Sequence, residues 1–136
     1  MKNIKLQAPS SKQAPISNSK NGKPYDLHER TLVFAKRVRD FVQKLQRTLP
    51  NIEYARQLIR SSGSVGANYI EANESFSKKD FALRVKICRK ESRETRYWLE
   101  LISTNANPDL NAERIRLQEE ARELTMIFSS IVSKVS

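Results

Sequence analysis

The stretch PDLNAERIRLQEEARELTMIFSSIVSKV, residues 108–135, decides the fold class of this chain. One set of its residues, apolar or small except for Arg114, recurs at alternating steps of three and four. Because an α-helix turns once in about 3.6 residues, this spacing places the set along one side of a helix. The stripe consists of Leu110, Arg114, Leu117, Ala121, Leu124, Phe128, Ile131 and Val135.

Three segments upstream show the same spacing, and polar or breaking residues separate them. Asp26 and Glu29 have capping-box spacing and predict the start of a first helix, whose stripe runs as far as Thr48. The sequence Leu49-Pro50-Asn51 ends that helix and offers Asn51 as the N-cap of the second. The second helix ends before a link at residues 73–76, and Ser77 begins a third capping signal. Residues 105–108, which end in a proline, precede the last helix.

Four helices joined by short links predict an all-α protein, an antiparallel up-down-up-down four-helix bundle. The near-heptad spacing of all four stripes fits the shallow crossing angle of such bundles. We assign the bundle to residues 25–136. Residues 1–24 are rich in Ser, Asn, Gln, Pro and Lys and predict a disordered basic leader.

Composition excludes several classes of protein. The 136 residues contain one Cys and one His, so neither a disulfide framework nor a Cys/His zinc cluster is expected. No segment has the length and apolarity of a membrane span or of a signal peptide, which predicts a soluble cytoplasmic protein. No nucleophile pairs with a base along the chain, so we expect no enzyme, cofactor or metal.

The net charge of +10 is concentrated in two places. Residues 1–25 hold five lysines and no acid, and residues 77–104 hold eight basic side chains against four acidic ones. Such a chain favours polyanionic partners, RNA or DNA above all. On the third helix the cations share one outward face, the basic stripe, which consists of Lys79, Lys86, Arg89, Lys90, Arg93 and Arg96.

Two other interpretations of the basic stripe stay open. It is also compatible with a solvated face whose cations pair with neighbouring acids, or with a scaffold that recruits an acidic protein without binding nucleic acid. Aromatic residues are sparse along it, so the sequence favours contact with the nucleic-acid backbone over stacking on bases.

The second helix carries a second, small-residue face. Residues 61–70 hold no charge, and Ile59, Gly63, Gly66 and Ile70 recur at steps of four, three and four, away from the core stripe. Two glycines inside a helix cost about 1 kcal/mol each relative to alanine, so close packing should compensate. This pattern predicts either a subunit interface or tight packing within one bundle. A phosphate-binding glycine loop is a weaker third alternative, because the run lacks the Lys-Ser/Thr ending of a P-loop and lies within a helix.

Two carboxylates lie among apolar neighbours on the third helix. Glu91 and Glu94 share a flank with Trp98, and we expect them to be partly buried. Their candidate partners are Arg56 and Arg60 of the second helix, or Ser and Asn side chains there, and Arg60 is expected to be a buried polar residue. A metal site at these acids is not expected, because the one histidine, His28, lies near the start of the first helix.

Two blocks resemble a known family. Residues 60–72, RSSGSVGANYIEA, and residues 77–81 with 90–99, SKKDF and KESRETRYWL, resemble the four-helix-bundle proteins encoded in intervening sequences of bacterial 23S ribosomal RNA genes, also called S23-like proteins. Tyr25-Asp26-Leu27 with Arg30-Thr31 resembles the usual start of that family. The resemblance covers about residues 25–104, and the basic leader departs from the family pattern.

This resemblance implies a four-helix bundle and, through a related protein, an oligomeric state and binding partners. The family is similar to the accessory variability determinant of diversity-generating retroelements, a basic homopentamer that binds nucleic acid and a reverse transcriptase. A homopentamer, a nucleic-acid ligand and a polymerase-type protein partner are therefore expectations that the resemblance supplies.

Overall fold

A computed structural model describes residues 26–135 of the chain, and these residues form four α-helices. The helices are α1 (Leu27–Gln43), α2 (Leu49–Asn73), α3 (Lys78–Leu101) and α4 (Pro108–Val135). No strand occurs between residues 26 and 135, which confirms the predicted all-α class. The leader predicted for residues 1–24 lies outside the described residues, as do Tyr25 and Ser136.

Side-chain caps begin α1 and α3 where the sequence predicts them, and a cap that was not predicted begins α4. The Asp26 carboxylate accepts a hydrogen bond from the His28 backbone N–H at 2.9 Å, and the Ser77 hydroxyl accepts from the Asp80 N–H at 3.1 Å. Asn107 Oδ1 accepts from two N–H groups of the first turn of α4, at 3.0 and 3.1 Å. These caps satisfy donors that a helix start leaves without a partner in the helix.

The boundary between α1 and α2 differs from the prediction. Helix α1 ends at Gln43, and the N-cap of α2 is Thr48, whose side chain accepts from the Asn51 N–H. Asn51 is instead buried in the first turn, where its amide donates to the carbonyls of Gln46 and Ser103 and accepts from the Ser103 N–H. The predicted cap at Asn51 is therefore wrong, because this amide joins the α1–α2 link to the α3–α4 link.

All four helices contribute to one hydrophobic core. Helix α2 packs closely on α3 and α3 on α4, whereas α1 contacts α2 and, least extensively, α4. The largest fully buried side chains include Phe34, Phe41, Leu58, Leu99 and Phe128. No helix between residues 26 and 135 has both the length and the apolar character that crossing a membrane requires.

The single cysteine belongs to this core. Cys88 is fully buried, and burial raises the pKa of its thiol from 9.0 to about 12. A thiol with such a pKa carries almost no thiolate near neutral pH, and thiolate is the reactive form. Cys88 is therefore a small apolar core residue in chemical behaviour as well as in position.

Candidate nucleic-acid interface and apolar face

The basic stripe follows the outward side of α3. Five of its six cations are exposed, and Arg89 is half-buried. From Lys79 to Arg96 the stripe extends over about 26 Å, at a rise of about 1.5 Å per residue. Within residues 26–135, Lys90 alone among the six has a carboxylate within 4 Å, at 3.8 Å from Glu91. The described part of the chain thus leaves most of the stripe's charge available to a ligand.

Glu91 and Glu94, the acids beside the stripe, form ion pairs with an arginine of α2. Arg60 Nη2 lies 3.3 Å from a Glu91 carboxylate oxygen and 3.4 Å from one of Glu94. The side chain of Glu91 is 7% exposed, whereas those of Glu94 and Arg60 are 43% and 50% exposed. The predicted pairing with Arg60 is present. Glu91 is buried and Glu94 half-buried, in agreement with the expected partial burial, whereas the expected burial of Arg60 is wrong, because its side chain reaches the surface. Arg56 is exposed.

A groove of about 370 Å³ adjoins one end of the stripe, between α3 and α4. Arg122 on α4 donates hydrogen bonds to Glu119, and this pairing lowers the pKa of the Glu119 carboxyl and raises the pKa of Arg122. The groove is lined by Arg93, Arg96, Tyr97, Glu100, Arg122, Thr125 and Met126. Three guanidinium groups and one carboxylate therefore line this groove.

Sequence reasoning missed two residues of this groove. Tyr97 is 55% exposed and lies four residues after Arg93 and seven after Lys90, so helical spacing already places it on the face of the stripe. Arg122 belongs to α4, which has no net basic character, and nothing in the spacing of α3 indicates that it comes close.

The apolar face, formed by Ile59, Gly63, Gly66 and Ile70 of α2 together with Leu32 of α1, is open to solvent in the single chain. Ile59, Ile70 and Leu32 are 43%, 46% and 41% exposed. A groove of about 240 Å³ runs between α1 and α2 over both glycines, and another of about 360 Å³ continues past Ile59 toward the start of α2. Contiguous exposed apolar surface of this kind marks interaction sites in proteins.

The two glycines of this face have different surroundings. A Cβ added at Gly66 would lie 2.9 Å from Thr31 Oγ1 and 3.3 Å from Thr31 Cβ, so Gly66 lets α1 approach α2 closely. A Cβ added at Gly63 would meet no atom within 4 Å. Tight packing within the bundle therefore accounts for Gly66, whereas Gly63 lies on the uncovered surface.

We expect alanine to act in opposite directions at these two positions. Gly66→Ala should lower the free energy of unfolding by about 1 kcal/mol or more, because the buried Thr31 must move. Gly63→Ala should raise it by up to about 1 kcal/mol, the usual gain of alanine over glycine in a helix. Urea denaturation followed by circular dichroism measures both. A stabilising Gly66→Ala would contradict the close approach of α1.

Within residues 26–135, no three side chains of the His, Cys, Asp or Glu type come close enough together to hold a metal ion. His28 lines the groove on the apolar face and is exposed.

Comparison with known proteins places the chain among relatives. The model of the family described as 23S rRNA-intervening sequence protein matches residues 24–130. The chain belongs to this family. Membership confirms the resemblance seen in residues 60–72, 77–81 and 90–99, and the match extends across most of α4. None of the curated proteins matches the chain.

One solved structure similar to this chain comes from Bacteroides thetaiotaomicron VPI-5482. It is a crystal structure, at 1.70 Å resolution, of a protein with unknown function from the S23 ribosomal protein family. The two chains are 28% identical with a TM-score of 0.65, and the alignment covers 78% of this chain and 94% of that one. The basic stripe and the apolar face both lie within the range that the family model matches.

Proposed function

We propose that this chain is a non-enzymatic cytoplasmic accessory protein that binds the backbone of RNA or DNA through the basic stripe of α3. The observation that carries the proposal is a row of exposed cations, about 26 Å long, with few carboxylates within pairing distance. Phosphates bound along such a row release condensed counterions, which drives association without reading the base sequence.

The pairing of Glu91 and Glu94 favours this proposal over the alternative that the basic stripe is only a solvated face. A solvated stripe is usually compensated by acids three or four residues away on the same helix. Here the side chains of Glu91 and Glu94 meet Arg60 of the adjacent helix instead. Glu91 and Glu94 are thereby directed toward α2, while the cations of the stripe face outward.

The test is fluorescence anisotropy with labelled RNA and DNA, as single strands and as duplexes, between 50 and 200 mM salt. About five phosphate contacts should make affinity fall by roughly a hundredfold or more across that range. The same steep dependence should hold for unrelated sequences. Absence of binding at 50 mM salt would refute the proposal.

A second candidate function is a scaffold that docks an acidic protein, such as a polymerase or reverse transcriptase, on the same face. Leu83, Tyr97 and Leu101 are 57%, 55% and 38% exposed and share the outward side of α3 with the cations. Mixed aromatic, apolar and arginine surface is typical of protein interfaces. Binding to an acidic protein that weakens with added salt, together with no binding to nucleic acid at 50 mM salt, would favour this alternative.

We further propose that successive helices run antiparallel in an up-down-up-down bundle. Contacts between α2 and α3 support this order, because partners advance along one helix as they recede along the other. Ser61 accepts a hydrogen bond from Thr95 at 2.8 Å. Asn68, which lies later on α2 than Ser61, accepts one from Arg84, which lies earlier on α3 than Thr95, at 3.2 Å. Between α1 and α4, Arg30 pairs with Glu120 and Arg37 with Glu113.

We propose that the apolar face joins copies of this chain into a homo-oligomer, for which the family resemblance suggests five subunits. Gly63→Leu should disrupt the assembly, because the added side chain projects from an uncovered position of that face. Leu83→Asp, on the basic side of α3, is the control and should leave the assembly intact. Light scattering after gel filtration measures the mass. A Gly63→Leu variant with wild-type mass and helicity would contradict this interface.

A further inference from the structure

Tyr97 is placed to contact a ligand that follows the basic stripe. Its side chain lines the groove between α3 and α4 together with Arg93 and Arg96, and it is 55% exposed. Residues four apart on a helix have Cβ atoms about 6 Å apart, so Tyr97 and Arg93 are within reach of one nucleotide. The groove therefore combines an accessible aromatic ring with positive charge.

The Tyr97 ring is supported but not covered. It meets the Trp98 ring at a centroid distance of 5.1 Å and an interplanar angle of 68°, an edge-type contact. Trp98 is itself stacked on Tyr54 of α2, at 6.2 Å and 28°. An edge-type contact occupies at most one face of the Tyr97 ring, so Trp98 leaves the other face uncovered, and the ring is braced from the protein interior.

The charged groups around the Tyr97 ring are suited to bind the phosphates of a nucleic-acid strand. Arg122 is held by hydrogen bonds to Glu119. Of the three arginines that line the groove, Arg93 and Arg96 therefore have no ion pair with any of residues 26–135. Glu100 is the one carboxylate that lines the groove, and it is exposed. Arginine donors fit phosphate oxygens well because their planar fork can donate two hydrogen bonds at once.

We propose that Tyr97, Arg93 and Arg96 form a stacking subsite for single-stranded nucleic acid. An unpaired base stacks on the open face of Tyr97, and the phosphates that flank it bind Arg93 and Arg96. Bases within a duplex are stacked on one another and do not offer a free face, so this contact selects strands with unpaired nucleotides. The inference rests on the proposed function and names the substrate class that the basic stripe prefers.

Variants of Tyr97 test the subsite. Binding of a labelled 20-nucleotide single strand, RNA and DNA in separate arms, is compared with binding of a blunt duplex by anisotropy. Tyr97→Ala should weaken single-strand binding roughly fivefold to a hundredfold, the usual cost of losing one stacked base, and should change duplex binding less than about twofold. Tyr97→Phe should bind like the wild type, because it keeps the ring.

Phe76 offers a matched control. It is a fully exposed aromatic residue on the link before α3, about 30 Å along the helix from Tyr97. Phe76→Ala should therefore leave single-strand affinity unchanged. Equal losses in Phe76→Ala and Tyr97→Ala, or equal losses for single strand and duplex in Tyr97→Ala, would overturn the stacking subsite.

Photocrosslinking of the wild-type protein tests the same contact without any substitution. A single strand that carries 5-iodouracil should crosslink to Tyr97, as identified by mass spectrometry of the digested complex. Crosslinks confined to other residues would overturn the inference while leaving backbone binding in place. A wild-type protein that binds no nucleic acid at 50 mM salt would instead refute the proposed function itself, and this inference would fall with it.

Discussion

Replacing Lys86 and Arg93 together with glutamate should weaken nucleic-acid binding by about a hundredfold at 100 mM salt. Both side chains are exposed at the middle of the basic stripe, and neither has an ion-pair partner within residues 26–135. The double variant removes two phosphate contacts and adds two repulsive charges. The slope of log affinity against log salt should therefore become shallower by about two. Anisotropy titrations at several salt concentrations measure both quantities.

The control for this variant must change net charge by the same amount elsewhere. Lys36 and Lys44 are exposed on and just after α1, so Lys36→Glu with Lys44→Glu supplies that change away from α3. We expect the control to lose no more than a few-fold in affinity, through the long-range field alone. Equal losses in the two double variants would show that binding responds to net charge and not to the stripe.

The four helices are predictable because their apolar spacing is regular and each stripe becomes a buried side of its helix. Phe34, Val38 and Phe41 on α1, for example, are all at most 1% exposed. The start of α2 is not predictable in the same way. Thr48 and Asn51 are both good N-cap residues, and the choice between them depends on the hydrogen bonds of Asn51 to Ser103, a residue 52 positions away.

The same distinction holds for the candidate site: properties of a single helix are predictable from the sequence, whereas contacts between helices are not. Helical spacing alone identifies the exposed cations of α3 and the exposed isoleucines of α2, since both are properties of one helix. Spacing does not separate Gly63 from Gly66, because the difference lies in Thr31 of another helix. It also cannot place Arg122 beside Arg96 or choose Arg60 over Arg56 as the partner of Glu91, since these contacts depend on how the helices are packed.

In the sequence, only the family resemblance at the start of the first helix marks Arg30, yet its substitution should have a large effect on stability. Its side chain is 5% exposed, and it bridges α1 to two carboxylates of α4, at 2.6 Å from Glu120 and 2.8 Å from Glu123. The contact between α1 and α4 is the least extensive of the helix contacts. The ion pairs of Arg30 with Glu120 and Glu123 are therefore a main polar connection between these two helices. Arg30→Met keeps much of the apolar stem but leaves two neighbouring carboxylates facing each other, both only partly exposed. We expect a loss of about 3 kcal/mol in the free energy of unfolding.

Urea denaturation of Arg30→Met and of three further variants isolates the cause of this loss. Arg39→Met removes an exposed arginine that pairs with its neighbour Asp40, and it should cost less than about 0.5 kcal/mol. Adding Glu120→Gln and Glu123→Gln to Arg30→Met should recover much of the stability, because the uncompensated charge disappears while the shape is kept. Arg30→Lys should recover less, since an ammonium group cannot reproduce the fork that contacts both carboxylates. If Arg30→Met were no more destabilising than Arg39→Met, packing of the apolar side chains alone would hold α1 against α4.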